Sequence, residues 1–297
     1  MKQYVGAIEA GGTKFNCAIV EPPQTILREV RISTRDPGET LGEVISFFKA
    51  ADVPLIAIGI SCFGPIDLHE DSQTYGYITK TPKLAWCNTD IVGALKILDL
   101  PIGFDTDVNG AAIGEHTCGA GKNLNSLVYY TIGTGIGGGA LVNGQPLHGL
   151  SHPEMGHVLI PHDRSHDPFQ GCCPFHSDCF EGLASGPAIE QRWNIDPAEL
   201  PAEHQAWKLE AHYIALALTN TVLTLSPQRL IVGGGVMHNH FLFPLIRKNV
   251  QRYLHGYVHH RDILETIDSF IVPPTLGDRA GIIGAAALAV RKAGGAY

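Results

Sequence analysis

Three absences narrow the possibilities before any motif is read. No uncharged apolar run approaches the length of a membrane span, and the start, Met1-Lys2-Gln3-Tyr4-Val5-Gly6, lacks the apolar stretch of a secretory signal. Positive charge is scarce, with 21 Lys and Arg against 29 Asp and Glu, a net charge of −8. A nucleic-acid surface needs clustered Lys and Arg, so the balance argues against such a partner. It does not exclude a nucleotide, whose phosphates backbone amides and one metal ion neutralise locally. Repeats of solenoid length and low-complexity tracts are missing too. The cysteines number seven, and Cys17, Cys62, Cys87 and Cys118 are scattered rather than framed. Free thiols fit a reducing compartment, and a cytoplasmic location without membrane contact is expected.

What is present suits a globular enzyme: 297 residues, 44% hydrophobic and 17% charged, enough for two compact lobes or one large domain. Strands and helices alternate. Tyr4–Ala10 reads as a strand with Phe15–Val20 as its hairpin partner, and Thr40–Ala50 carries helical spacing. Leu55–Ser61 is an apolar run typical of a strand buried on both faces. Pro101–Asp105 is a short strand opening a helix through Glu115, and Leu127–Ile132 with Gly137–Val142 forms a second strand–turn–strand unit. A polar stretch rich in Pro, His and Cys, His152 to Glu181, shows neither period and is expected to be functional or metal-tied. Helices over about His204–Leu225 and Phe241–Tyr253 follow, with the strand Leu230–Val232 between them, and a small-residue helix over about Asp278–Arg291 closes the chain. The fold class is α/β.

Glycine turns follow three of these strands. Gly11-Gly12-Thr13-Lys14 adds a hydroxyl and a positive charge to a backbone that can approach phosphate oxygens closely. Gly133-Thr134-Gly135-Ile136-Gly137-Gly138-Gly139 repeats the design, and Gly233-Gly234-Gly235 forms the third. No Walker or Rossmann fingerprint occurs. Any one turn could be an ordinary tight hairpin; three together point to phosphate binding.

Asp105-Thr106-Asp107-Val108-Asn109 spans a strand end and a helix start. Either aspartate could be a helix N-cap, and for Asp105 that account is at least as good. Asp107 fits better as a general base, because strand ends of an α/β sheet face the ligand crevice. Such a base contributes about 10²–10⁴ in rate, roughly 3–5 kcal/mol of barrier, against ~1 kcal/mol of stability for a cap.

Cys173-Pro174-Phe175-His176-Ser177-Asp178-Cys179 spaces three ligands for a tetrahedral zinc ion, with His157 as the best fourth and Cys172 competing with Cys173. A metal-fixed knuckle would hold Glu154, His157 and Glu181 on a rigid rim, where carboxylates and an imidazole suit vicinal sugar hydroxyls. The zinc would be structural. His148, His152, His162 and His166 flank this region and are expected to be solvated loop histidines.

Taken together, Glu9-Ala10-Gly11-Gly12-Thr13-Lys14, Asp105–Asn109, the Gly133–Gly139 turn, Glu154–His157, Cys173–Glu181 and Gly233–Gly235 resemble the ROK sugar kinases, in particular bacterial fructokinases. The resemblance runs nearly end to end. It implies an actin-like, ribonuclease-H-like fold of two lobes that close over sugar and Mg-ATP, in a homodimer. Residues 1–118 would form the smaller lobe, with the helix of about 278–297 packed back on it, and 119–277 the larger lobe with the zinc loop 152–181.

By position, Asp107 looks like the catalytic base, with Glu154, His157, Glu181, Thr106 and Asn109 binding substrate. Gly11, Gly12, Thr13, Lys14, Thr134, Gly135 and Gly137 would hold the phosphates of ATP, with Mg²⁺ beside them, and Gly234 and Gly235 would pass under the adenosine. His157, Cys173, His176 and Cys179 would bind Zn²⁺. Many family members carry Asp-Ile-Gly-Gly-Thr where this chain has Glu9-Ala10-Gly11-Gly12-Thr13, Asn where it has Thr106, and C-x-C-G-x-x-G-C where Pro174 and His176 stand. Those departures look like the fructokinase branch, so phosphorylation of D-fructose at its 6-hydroxyl is expected. Kinases for mannose, glucose or an acylated hexosamine, and a non-catalytic sugar sensor, are the alternatives. The family's repressors carry an N-terminal DNA-binding segment, which a chain starting at the kinase strand is expected to lack.

Overall fold

The computed structural model describes residues 2–295, so Met1 and the last two residues of the helix expected over 278–297 lie outside the described residues. The chain divides into two compact units, each containing a mixed sheet. The first comprises residues up to Asn123, Gln145–Pro153, and the chain from Thr275 onward; the second comprises Leu124–Gly144 and Glu154–Pro274.

The first unit is built on β1 (Tyr4–Ala10), β2 (Lys14–Glu21), β3 (Thr25–Ser33), β4 (Leu55–Cys62) and β5 (Ile102–Thr106), in the spatial order β3-β2-β1-β4-β5. The first three strands are antiparallel neighbours, whereas β4 runs parallel to both β1 and β5. Alternation divides β1 between two cores, as a pleated strand requires. Ile8 and Ala10 join Ile58, Ile60 and Phe104 against Val44, Phe47 and Phe48 of the helix Pro37–Lys49 and against Trp86. Val5 and Ala7 join Ala57 on the opposite face, under Ile282, Ala285, Ala286 and Ala289 of the helix Ala280–Lys292. Covered on both faces, β4 reads in sequence as one continuous apolar run. Strand β3 escapes that reading because it lies at the sheet edge with most of its side chains exposed, which leaves no apolar alternation to detect.

The helix Asp107–Cys118 follows β5 directly. Its buried Glu115 accepts from the backbone amides of Ala120 (2.6 Å), Leu276 (2.8 Å) and Thr275 (3.1 Å), stitching the last segment of the chain to this unit. A buried carboxylate is tolerable when amides satisfy it in this way.

In the second unit, β6 (Leu127–Ile132), β7 (Ile136–Val142), β8 (Leu230–Gly233) and β9 (Ile271–Val272) run in the order β7-β6-β8-β9. β6 and β7 form an antiparallel hairpin, while β8 is parallel to β6 and to β9. The long helix Ala206–Leu225 buries Trp207, Tyr213, Leu218 and Val222 and packs beside the helix Leu242–Leu254. Between β7 and these helices runs the irregular stretch that ends at the short helix Phe180–Ala184.

Candidate active site

In the first unit, the turn Gly11–Lys14 joins β1 to β2 and closes on itself, with the Gly11 amide donating to the Lys14 carbonyl at 2.9 Å. The end of β3 braces it: the Thr34 amide donates to the Thr13 carbonyl (3.0 Å) and its hydroxyl to the Gly11 carbonyl (2.8 Å). Gly11, Gly12 and Lys14 are half-buried and Thr13 is exposed, so backbone and hydroxyl remain accessible to a ligand. Beside the turn, burial holds the Glu9 carboxyl above the usual carboxylate range, against the opposing pull of its 2.7 Å bond from the Asn16 side-chain amide.

Asp107 is the first residue of its helix, at the carboxyl end of β5. Neither aspartate caps the helix: the Thr106 hydroxyl does, accepting from the Asn109 amide at 3.1 Å. Asp107 is half-buried and takes the Val108 amide at 2.8 Å on one oxygen. Its charge reaches the end of β4, where burial first and Asp107 second push the Cys62 thiol well above its ordinary value. The carboxylate therefore lies at the carboxyl ends of two parallel strands, the usual ligand position of an α/β sheet. Thr106 and Asn109 are buried; the Asn109 side-chain amide donates to buried Asp105 at 2.8 Å.

Two of the four flanking histidines, His152 and His162, are not the solvated loop residues expected. His148 is exposed, yet its Nε2 lies 3.1 Å from Asp105, whose carboxylate raises the imidazole pKa. His152 is buried, and its Nε2 accepts from the Ile66 amide at 3.2 Å. His162 is buried between the Asp167 carbonyl (2.9 Å) and the Asp178 carboxylate (3.1 Å). His166 is exposed as well, beside Asp163. Nothing local in sequence marks His148 or His152, because their partners lie far away along the chain.

In the second unit, the turn between β6 and β7 is held from outside. Gly133 donates to the Gly135 carbonyl at 2.9 Å, while Gly186 donates to the Gly133 carbonyl at 2.7 Å and Ile136 to the Glu181 carboxylate at 2.9 Å. Thr134, at its tip, is exposed, and Gly135 and Gly137 are half-buried. The third turn follows β8: Gly234 has φ +93°, and a side chain there would put Cβ 2.5 Å from the Ile132 backbone, so only glycine fits. Gly235 opens a short 3-10 turn and is exposed.

One nitrogen of His157 and of His176 and the sulfurs of Cys173 and Cys179 lie within 4.8 Å of one another. The sulfur–nitrogen separations are 3.8 Å (Cys173–His157), 3.7 Å (Cys173–His176) and 3.6 Å (Cys179–His157). Ordinary zinc–sulfur and zinc–nitrogen bonds at a tetrahedral angle put such atoms about 3.6 Å apart. The donor set therefore fits a tetrahedral zinc ion, with a tight knuckle formed by paired backbone bonds between Cys173 and Ser177. Cys172 stands outside the cluster, its sulfur 3.8 Å from the Ser185 hydroxyl. Glu154 is exposed and immediately precedes the 3-10 turn Met155–His157; Glu181 is half-buried and lies two residues beyond Cys179.

The family model described as "ROK family" matches residues 5–292. The chain belongs to the ROK family. Its relatives include proteins named fructokinase from Lactococcus lactis (45% identity, 93% of each chain), Zymomonas mobilis (44%, 97% of each) and Streptococcus mutans (41%, 99% of each). Among solved structures, a ROK hexokinase from Thermus thermophilus superposes with a TM-score of 0.81 at 25% identity, over 98% of this chain and 99% of that one. A ROK glucokinase from Streptomyces griseus, solved with glucose and AMPPNP, gives 0.77 at 24% identity over 97% and 99%, a likeness of fold. The fold is thus the actin-like, two-domain α/β architecture of ROK sugar kinases. No helix among the described residues is long and apolar enough to cross a membrane.

Proposed function

We propose that this ROK protein is a fructokinase, transferring the γ-phosphoryl group of Mg-ATP to the 6-hydroxyl of D-fructose. The observation that carries the reading is the 41–45% identity, over nearly the full length of both chains, to relatives named fructokinase. Asp107, at the carboxyl ends of β4 and β5, is the base in this reading. It takes the hydroxyl proton as the sugar oxygen bonds to phosphorus, the bond to the bridging β–γ oxygen breaks, and ADP leaves. The transition state is loose, so positioning and charge neutralisation supply most of the acceleration.

The turns at Gly11–Lys14 and Gly133–Gly137 offer backbone amides, the Thr13 and Thr134 hydroxyls and the Lys14 ammonium to the phosphates; Gly234 and Gly235 lie under the adenosine. Magnesium arrives as part of the nucleotide substrate. Glu154, His157 and Glu181 take sugar hydroxyls, assisted by Thr106 and Asn109. Zinc, when bound by His157, Cys173, His176 and Cys179, supplies a structural cross-link with no open position for water. The protein works in the cytoplasm as a homodimer.

A coupled ADP-release assay over fructose, mannose, glucose and N-acetylhexosamines tests the reading. The highest kcat/KM is expected with fructose. A higher value with another sugar reassigns the substrate, and sugar binding without ADP release makes the protein a sensor rather than a kinase.

A further inference from the structure

The two oxygens of the Glu181 carboxylate have different surroundings. Oε2 accepts from the Ile136 amide at 2.9 Å, whereas Oε1 has no hydrogen-bond partner among the described residues. The carboxylate lies directly on the glycine turn between β6 and β7: a Cβ added at Gly135 would stand 2.8 Å from Oε2. The segment carrying Glu181 also grips the other end of that turn, because the Gly186 amide donates to the Gly133 carbonyl at 2.7 Å. The grip is stiff. Leu183 donates to the Cys179 carbonyl (3.0 Å) and Ser185 to the Glu181 carbonyl (3.1 Å), so one continuous hydrogen-bonded stretch runs from a metal-cluster cysteine to Gly186.

We propose that Glu181 is a positioning residue for the phosphate turn as well as a sugar ligand, and that fructose and Mg-ATP bind with positive coupling through it. The inference rests on the fructokinase reading above. A carboxylate that commits Oε2 to the Ile136 amide presents Oε1 to a sugar hydroxyl. A hydroxyl donating to Oε1 fixes the side-chain rotamer, which holds Oε2 on the turn before the nucleotide arrives. The ordering cost is then met once for both ligands. Linkage makes the effect reciprocal: bound nucleotide, by holding the turn, fixes the carboxylate for the sugar.

The decisive measurement is Mg-AMPPNP affinity in the absence of sugar, by calorimetry, for the wild type, Glu181→Ala and Glu181→Gln. The alanine variant is expected to bind nucleotide about 2–10-fold more weakly, the worth of one backbone hydrogen bond. The glutamine variant, whose amide oxygen still accepts from Ile136, should return to within about twofold of wild type. Nucleotide affinity unchanged in Glu181→Ala would leave Glu181 a sugar ligand alone and overturn the proposal.

Two further readouts keep the test decisive if the alanine variant does not fold. Gly135→Ala, a change in the phosphate turn, is expected to raise the fructose KM, and an unchanged KM counts against the coupling. In the wild-type protein, saturating fructose should slow hydrogen exchange at the Ile136 amide, and an unaltered rate sinks the idea. Wild-type turnover of fructose is the control: its absence removes the fructokinase reading, whereas turnover with an unaffected nucleotide affinity removes only the coupling.

Discussion

Two glycine turns of the same local design close on their own backbones but are braced from different parts of the fold. Gly11–Lys14 closes on its own backbone and leans on Thr34, about twenty residues further along, just past the end of β3. Gly133–Ile136 is held by Glu181 and Gly186, which belong to a segment with no strand of its own. Both turns close hairpins, and the first is braced in addition by a neighbouring strand. The second depends on a stretch that lacks regular secondary structure for most of its length and, in this reading, on the metal that pins it. Equal sequence signals can thus carry unequal support, and the weaker support sits beside the richest cluster of chemistry.

Ranked by expected effect, four experiments break or sharpen that contrast. Asp107→Asn touches neither turn, so kcat should fall by about 10²–10⁴ while AMPPNP affinity stays near wild type. A parallel loss of nucleotide affinity would mean that the carboxylate supports a turn instead. Removing the metal by chelation should lower Tm by on the order of 10 °C, using about 3 °C per kcal/mol for a domain of this size. It should speed exchange of the Ile136 and Gly186 amides and leave that of Gly11 alone; uniform loosening of both turns would erase the distinction.

Thr34→Val deletes the hydroxyl bond to Gly11 and keeps the backbone bond to Thr13. The expected cost is about 1 kcal/mol in denaturant unfolding, with no change at Ile136. The smallest effect concerns pH. Burial raises the Glu9 pKa, so the folded protein favours the protonated carboxyl. The resulting stability is fully present below the ordinary glutamate value, about pH 4, and is lost as pH rises through the raised one. Glu9→Gln mimics the protonated form, so its Tm should match wild type in acid and gain on it as pH climbs. A Tm difference independent of pH would show that Glu9 is already ionised in the fold without cost.

Much of the architecture was legible because the periodicities were clean. Leu55–Ser61 reads as doubly covered, and the strand Leu55–Cys62 is; the hairpins at Gly11–Lys14 and Gly133–Ile136 and the long helix ending at Leu225 stand where the pattern puts them. β3 was invisible because an exposed edge strand needs no apolar alternation. The C-x2-H-x2-C spacing selected three members of the donor cluster, yet the contest between Cys172 and Cys173 could not be resolved by counting. Adjacent residues differ only in direction, and direction is set by the knuckle's backbone bonds. The buried histidines depart from expectation for a related reason. His162 owes its burial to Asp167 and Asp178, and His148 its raised pKa to Asp105, partners that composition does not reveal.

The order of residues alone determined the alternating α/β class, the three glycine turns, an acidic residue at a strand end and cysteines and a histidine at metal-ligand spacing. Each depends on near neighbours in the chain, where side-chain period and spacing are fixed by covalent geometry. Folding in three dimensions decided that Thr106 caps the helix, that Cys173 rather than Cys172 joins the donor cluster, and that Glu181 reaches the Ile136 amide. Hydrogen bonds are short and directional, so which groups meet across long stretches of sequence is settled only when packing brings them within about 3 Å.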